Sequence, residues 1–214
     1  MPRELFVVLG LEATCPDRLG EGVESPILFP SGEEEIVEIG AVAFELVGGE
    51  ARQLDGVLGA WSSLVRPTRH PTLSTTFVRL TGITQGAVAT APMLGGALRR
   101  FSLWSYTFLD AGAHLCSWGP WDFEMLDRAA RECPGVQLPD LPRFDLKEKL
   151  HVARGGRRRM NLPTALRACG LAFEGPPHRA ESDAFNAART LPWAFDRKPF
   201  DPAWVVPKGS PDAS

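Results

Sequence analysis

Residues Leu5 to Leu11 form an apolar, strand-prone run broken only by Gly10, and the run closes on a carboxylate, Glu12. Such a run suits a central strand buried on both faces, which demands helices on either side of a sheet. A carboxylate at the exit of that strand is costly unless it is solvated, paired or bound to a metal ion. Taken alone, Glu12 reads most simply as a surface glutamate at a strand end. The run is far short of the roughly 20 residues that span a bilayer as a helix. Glu4 and Glu12 bracket it, so it does not read as a signal peptide either.

A second strand is expected over Ile36 to Leu46. Gly48 and Gly49 break it, and a third apolar segment around Leu58 to Val65 ends at Pro67, giving an antiparallel meander. Between the first two strands, Cys15 to Glu35 is rich in Pro, Gly and acids and reads as an exposed excursion. Farther on, Leu94, Ala97, Leu98, Phe101 and Trp104 recur at helical spacing, and Ala113 to Trp118 gives another short strand. Gly119-Pro120 opens a helix with Phe123, Leu126, Ala130 and Cys133 on one face. Asn161 caps a helix with Pro163 in its first turn and Gly170 at its end. A last helix runs from about Ala180 to Leu191, stopped by Pro192. Strands that begin as a meander and then alternate with helices predict one α/β domain, a mixed sheet flanked by helices, over residues 1–200. The Pro-rich stretch 201–214 reads as a loose tail.

With 23 Lys plus Arg against 26 Asp plus Glu, the chain has no basic excess of the kind that coats polyanions. Cys15, Cys116, Cys133 and Cys169 lie far apart with no CxxC pair, which argues against a zinc knuckle or a disulfide framework and for a reducing, cytoplasmic setting. No membrane partner is expected. There is no GxSxG elbow, Walker loop or HExxH helix. Chemistry therefore has to come from acids placed at element ends. Asp122 falls in the first turn of the helix after Ser117-Trp118-Gly119, where an acid is worth about 0.3–1 kcal/mol as a helix-dipole partner. His178 sits on a Pro-rich loop five residues before Asp183 on the next helix.

The joint pattern resembles the DnaQ-like 3′–5′ exonucleases of the DEDDh type, and within them the branch of small-RNA-processing and histone-mRNA exonucleases. Where that branch has Asp-Phe-Glu-Ala-Thr-Cys, this chain has Gly10-Leu11-Glu12-Ala13-Thr14-Cys15. Trp121-Asp122 fits the second motif, and His178, Asp183, Asn186 and Ala188-Arg189 fit the third. Leu80-Thr81-Gly82-Ile83 matches the superfamily's Leu-Thr-Gly-Ile loop. The resemblance implies an RNase H-like fold, a mixed five-stranded sheet flanked by helices, and a hydrolase that removes nucleotides from single-stranded 3′ ends, RNA favoured over DNA. It implies two Mg²⁺ or Mn²⁺ ions, with Glu12 and Asp183 as direct ligands, Asp122 as a ligand directly or through water, and His178 as general base. Two such ions clamp the attacking and leaving oxygens of an in-line displacement, and hard cations want carboxylate oxygens.

Family resemblance also places Ala13, Thr14, Leu80, Ile83 and Trp121 around the terminal nucleotide. The stretch Arg143 to Arg159 carries seven basic residues against two acids and, with Arg157 and Arg158, suits a phosphate track as well as it suits a solvated face. Many relatives pair, so a homodimer is among the expected partners. The departure is Gly10, which stands where relatives carry the aspartate that bridges both ions. Positions 10 and 12 share a strand face, so one of four carboxylates is missing from the cluster. A poorly held second ion and impaired turnover follow, and the alternative is a catalytically silent nucleic-acid-binding or adaptor module. A glycine inside a strand also marks a close backbone approach.

Overall fold

The computed structural model of the chain describes residues 3–18, 26–54, 59–109, 112–155 and 159–195. Arg157, Arg158 and the 201–214 tail lie outside the described residues. Elements run β1 (Glu4–Ala13), β2 (Ile36–Val47), β3 (Glu50–Gln53), β4 (Ala60–Leu64), α1 (Thr75–Thr81), α2 (Gln85–Ala89), α3 (Leu94–Leu109) and β5 (His114–Ser117). After these come α4 (Trp121–Glu132), β6 (Arg143–Asp145), α5 (Leu146–Ala153), α6 (Leu162–Ala168), α7 (Ala180–Ala188) and α8 (Leu191–Ala194).

The sheet has six strands, not the expected five, in the order β3-β2-β1-β5-β6, with β4 also paired to β2. The physical reason is the length of β2, whose 12 residues take two short strands along one edge. Strand β3 pairs with Phe44–Val47 and β4 with Glu38–Val42. The β3 sequence, Glu-Ala-Arg-Gln, is mostly exposed and has no apolar alternation to reveal it. Strand β6 is three residues long and lies inside the basic run. Pairs β1–β2, β2–β3 and β2–β4 are antiparallel, while β1–β5 and β5–β6 are parallel.

One face of the sheet buries Val7, Leu9, Leu11, Ile39, Ala41 and Ala43 against α3 and α4, chiefly Leu98, Phe101 and Leu126. The other buries Phe6, Val8, Val42 and Phe44 against Leu146, Leu150, Leu166, Ala184 and Leu191 of the later helices. Full burial of each large apolar side chain is worth about 1.5–3 kcal/mol, so the two faces together fix the sheet between its helix layers. Asn161 caps α6 by accepting from the Thr164 N–H at 3.0 Å, with Pro163 in the first turn, as expected. The expected helix Ala180–Leu191 instead ends at Ala188, and a separate turn, α8, carries Pro192 at its start. Pro192 lacks an N–H that the first turn would leave unpaired anyway, so it opens this turn rather than closing the one before it.

The second face changes character along its length. Antiparallel register pairs Phe6 with Phe44, Val8 with Val42, Gly10 with Gly40 and Glu12 with Glu38. Large apolar pairs give way to a glycine pair and then to a pair of acids. Helix α7 starts over the glycines. A Cβ at position 10 would overlap the Ala180 carbonyl oxygen, and one at position 40 would overlap the backbone of Glu181. The two glycines form a saddle that admits the first turn of α7 directly onto the strands.

Candidate active site

The site lies where β1 outruns its parallel neighbour. Pairing with β5 ends at Leu9–Ser117. Beyond that point the Leu11 N–H donates to Asp122 Oδ1 at 3.1 Å, so the first turn of α4 is tied to β1 one residue before Glu12. Gly119, at φ 108°, supplies the sharp turn into that helix, a conformation only glycine adopts cheaply.

The α7 side is anchored by Glu38, a carboxylate only 2% exposed. It accepts from Arg179 Nη2 at 2.6 Å, from Arg179 Nε at 3.1 Å and from the Ala180 N–H at 2.9 Å. Glu38 thus caps a helix that has no cap of its own, since Arg179 at the cap position makes no side-chain cap bond. His178 precedes it at φ 58°, the left-handed region that non-glycine residues seldom occupy. Its backbone hydrogen bond to the Asp183 carboxylate closes the turn.

Glu12, His178 and Asp183 come together, each offering one ligand atom, and these atoms lie within 4.8 Å of one another. The three acids hold their protons unusually tightly. Burial pushes Glu12 up to about 8, helped by the charges of Asp183, Glu38 and Asp122 and opposed by Arg179. Burial pushes Asp122 up to about 7 despite the Leu11 hydrogen bond. Asp183 rises to about 6, again mainly by burial, with His178 opposing. Crowding of three acids in this way would be relieved by further positive charge, which a divalent cation would supply. Two carboxylates and an imidazole are donors that fit one such ion. A second ion would be less well served, because the position where the resemblance leads one to expect a bridging carboxylate is Gly10, and the Ala180 carbonyl fills its side-chain space.

Among the residues expected to surround a terminal nucleotide, Leu80 and Trp121 are exposed at 41% and 44%, open apolar surfaces on α1 and α4. Ala13 is half-buried at the end of β1. Thr14 is buried and ties the excursion down, accepting from the Glu35 N–H at 2.9 Å. Ile83 departs from expectation. It packs in a small core with Val37, Leu73, Phe77 and Val88, which leaves it no open face for a base. The basic run is partly neutralised, since Arg143 makes paired 2.8 Å bonds to Asp127, and Arg159 pairs with Glu148 at 2.6 Å. Glu38, Arg179 and Gly40 were not singled out by sequence. An acid inside an otherwise apolar strand, and an arginine directly after His178, were the available signals.

The sequence model of the RNase_T exonuclease family matches residues 7–191. The chain belongs to that family. Its members hydrolyse phosphodiester bonds, and the described residues have the family's RNase H-like fold. ERI1 exoribonuclease 2 of Danio rerio is 30% identical over 179 residues, covering 74% of this chain and 31% of that protein. The 3′-5′ exonuclease eri1 of Schizosaccharomyces pombe is 26% identical over 220 residues, covering 87% of this chain and 66% of that protein. The chain thus spans less than two thirds of either relative. Among solved structures, the nuclease domain of 3′hExo, a DEDDh family member bound to rAMP, superposes with a TM-score of 0.67. It is 20% identical and covers 92% of this chain and 96% of that one. Among the described residues of this RNase_T-family chain, no helix is long and apolar enough to cross a membrane.

Proposed function

We propose that this family member is a divalent-metal-dependent 3′–5′ exonuclease acting on single-stranded 3′ ends, RNA in preference to DNA, with turnover reduced by Gly10. The observation that carries the reading is the convergence of Glu12, Asp122, His178 and Asp183 from three separate parts of the chain. Glu12 and Asp183 would hold the cation, with Asp122, tethered to Leu11, contributing directly or through water. A bound cation supplies Lewis-acid stabilisation of charge developing on the phosphoryl oxygens. The His178 imidazole takes the proton of the attacking water, a general-base task for which an imidazole nitrogen is chemically suited. Leu80 and Trp121 offer apolar surface to the terminal base. The RNA preference is supported by the exoribonuclease relative and by the rAMP-bound structure.

A second reading, a silent module that holds 3′ ends, is favoured by one observation, the closed space at Gly10. The test is incubation of 3′-labelled single-stranded RNA and DNA with the chain and with Asp183→Asn, in Mg²⁺ and in Mn²⁺. Stepwise shortening of RNA that Asp183→Asn abolishes is the expected result. Binding without shortening establishes the silent module, and neither binding nor shortening sinks both readings. Gly10→Asp is a poor rescue, because the new side chain meets the α7 backbone. The expected homodimer is checked by the mass of the protein in solution.

A further inference from the structure

We propose that the ion pair of Glu38 and Arg179 holds His178 in its left-handed turn and so aims the imidazole at the cluster, which makes Arg179 a positioning residue for the hydrolysis. The inference rests on the general-base reading of His178 and adds what sets that base in place. Neither Glu38 nor Arg179 needs to touch the reacting atoms, because both act through the backbone of the turn.

The turn is clamped at both ends. Glu174, at its start, is fixed to α7 itself, since the Asn186 side chain accepts its N–H at 3.0 Å and donates to its C=O at 2.7 Å. Gly175, Pro176, Pro177 and His178 follow, and the chain is caught again at Arg179 and Ala180, both of which donate to Glu38. The first clamp moves with the helix. The second refers the turn to the sheet, because Glu38 lies on β2 directly across from Glu12 in register. One rung of the strand pair therefore carries both a carboxylate of the cluster and the anchor of the residue after the histidine.

A left-handed histidine does not persist unaided. At φ 58° its Cβ crowds the backbone, and surrounding contacts must offset the cost. The imidazole is exposed, so packing does not orient it, yet its nitrogen lies within 4.8 Å of a carboxylate oxygen of Glu12 and of Asp183. The backbone has to do the aiming. His178 donates its own N–H to the Asp183 carboxylate, and the residue that follows is gripped by a fork. Arg179 Nε reaches both Glu38 oxygens at 3.1 Å while Nη2 reaches Oε1 at 2.6 Å. A planar guanidinium held this way fixes the direction from which the backbone arrives at position 179, and hence the turn at 178. A lysine would supply the charge without the direction.

The test joins a spectroscopic readout to kinetics on the intact chain. A residue at positive φ gives a strong nuclear Overhauser effect between its own N–H and Hα, because the turn brings the two protons close. Arg179→Lys keeps a positive charge beside the buried Glu38. The neutral pair Glu38→Gln with Arg179→Gln leaves no buried charge and is the second variant. In both, the effect at His178 should weaken, while turnover of single-stranded RNA in Mn²⁺ falls by about tenfold or more with KM within about twofold, because a misplaced base slows the chemical step. Adding Arg179→Lys to His178→Ala should cost nothing further. A left-handed turn retained in both variants overturns the proposal, as do losses from Arg179→Lys and His178→Ala that multiply, and either result leaves the nuclease reading standing. An unaltered chain that shortens no RNA sinks the nuclease reading and the positioning role with it, and the Overhauser effect then decides by itself whether the ion pair holds the turn.

Discussion

Two sets of buried acids lie on either side of the end of β1, and they behave in opposite ways. Asp17, 5% exposed, accepts the Ile27 N–H at 3.0 Å and the Thr76 N–H at 2.8 Å. Glu35 accepts the N–H groups of Thr68, Arg69 and His70 at 2.8, 2.8 and 2.6 Å. Burial raises both, yet the backbone donors hold both below the ordinary carboxylate range. Glu12, Asp122 and Asp183 are also desolvated, but fewer donors meet them and all three are raised. The difference is the donor supply. An acid saturated by backbone N–H groups is a fastener, and here two fasteners pin the excursion after β1, read from sequence as merely exposed, to α1 and to the loop after β4. Acids crowded with few donors are the ones a cation would relieve.

The comparison is broken most severely by exchanging roles. Asp183→Asn should lower exonuclease turnover by about 10²-fold or more, the usual scale for losing one charge that stabilises a transition state. It should leave the melting temperature of the metal-free protein unchanged or higher, because a desolvated charge has been removed. Asp17→Ala should do the reverse. It strands buried N–H groups of Ile27 and Thr76, at a cost of about 2–3 kcal/mol in denaturant unfolding, while the metal affinity of the cluster changes little. If Asp183→Asn destabilises as much as Asp17→Ala, the two sets are not different in kind.

Gly40→Ala sharpens the comparison at the next scale. Overpacking costs about 1–3 kcal/mol, and here the clash is with the Glu181 backbone, which cannot rotate aside. Because α7 must lift, the variant should also weaken Mn²⁺ binding through displaced His178 and Asp183. Equal loss of stability with unchanged Mn²⁺ affinity would show that the saddle does not position the cluster.

The proposed site residues were legible because they sit at element ends that Gly and Pro punctuate. Asp122 follows Gly119-Pro120, and His178 follows Pro176-Pro177. Glu12 ends the one run that had to be a central strand. What escaped sequence reading is non-local. The grip of Glu38 on Arg179 joins residues 141 apart, and an acid in a strand reads as a solvent-facing side chain until its partner is known. Gly10 reads as a missing aspartate in a motif. It also reads as a close backbone approach of unspecified partner, and the register against Gly40 with the overlap at Ala180 shows that the partner is a helix. Strands β3 and β6, at four and three residues, are too short and polar for periodicity to find.

The smallest effect is on the shape of the pH–stability curve, where the two sets contribute with opposite sign. Asp17 and Glu35 have folded values below their unfolded ones. Their contribution is present above about pH 4 to 4.5 and is lost as pH falls through the depressed values. Glu12 has a folded value of about 8 against 4.5 unfolded, so its contribution is present below 4.5 and is lost as pH rises toward 8. Asp122 and Asp183 follow Glu12 over narrower windows, ending at about 7 and about 6. Stability of the metal-free protein should therefore peak at about pH 4 to 4.5, where the two sets of windows meet, and decline on both sides. Solvent reaches the half-buried Glu12 and Asp183, which keeps the alkaline decline shallow. Glu12→Gln should flatten the decline between about pH 5 and 8 and leave the acid limb untouched, as read from urea midpoints. Added Mn²⁺ should do the same in the unaltered chain, since ion and proton compete for the same oxygens. A decline that survives both Glu12→Gln and Mn²⁺ would place its origin outside the cluster, and the distinction between fastened and waiting acids would lose its thermodynamic support.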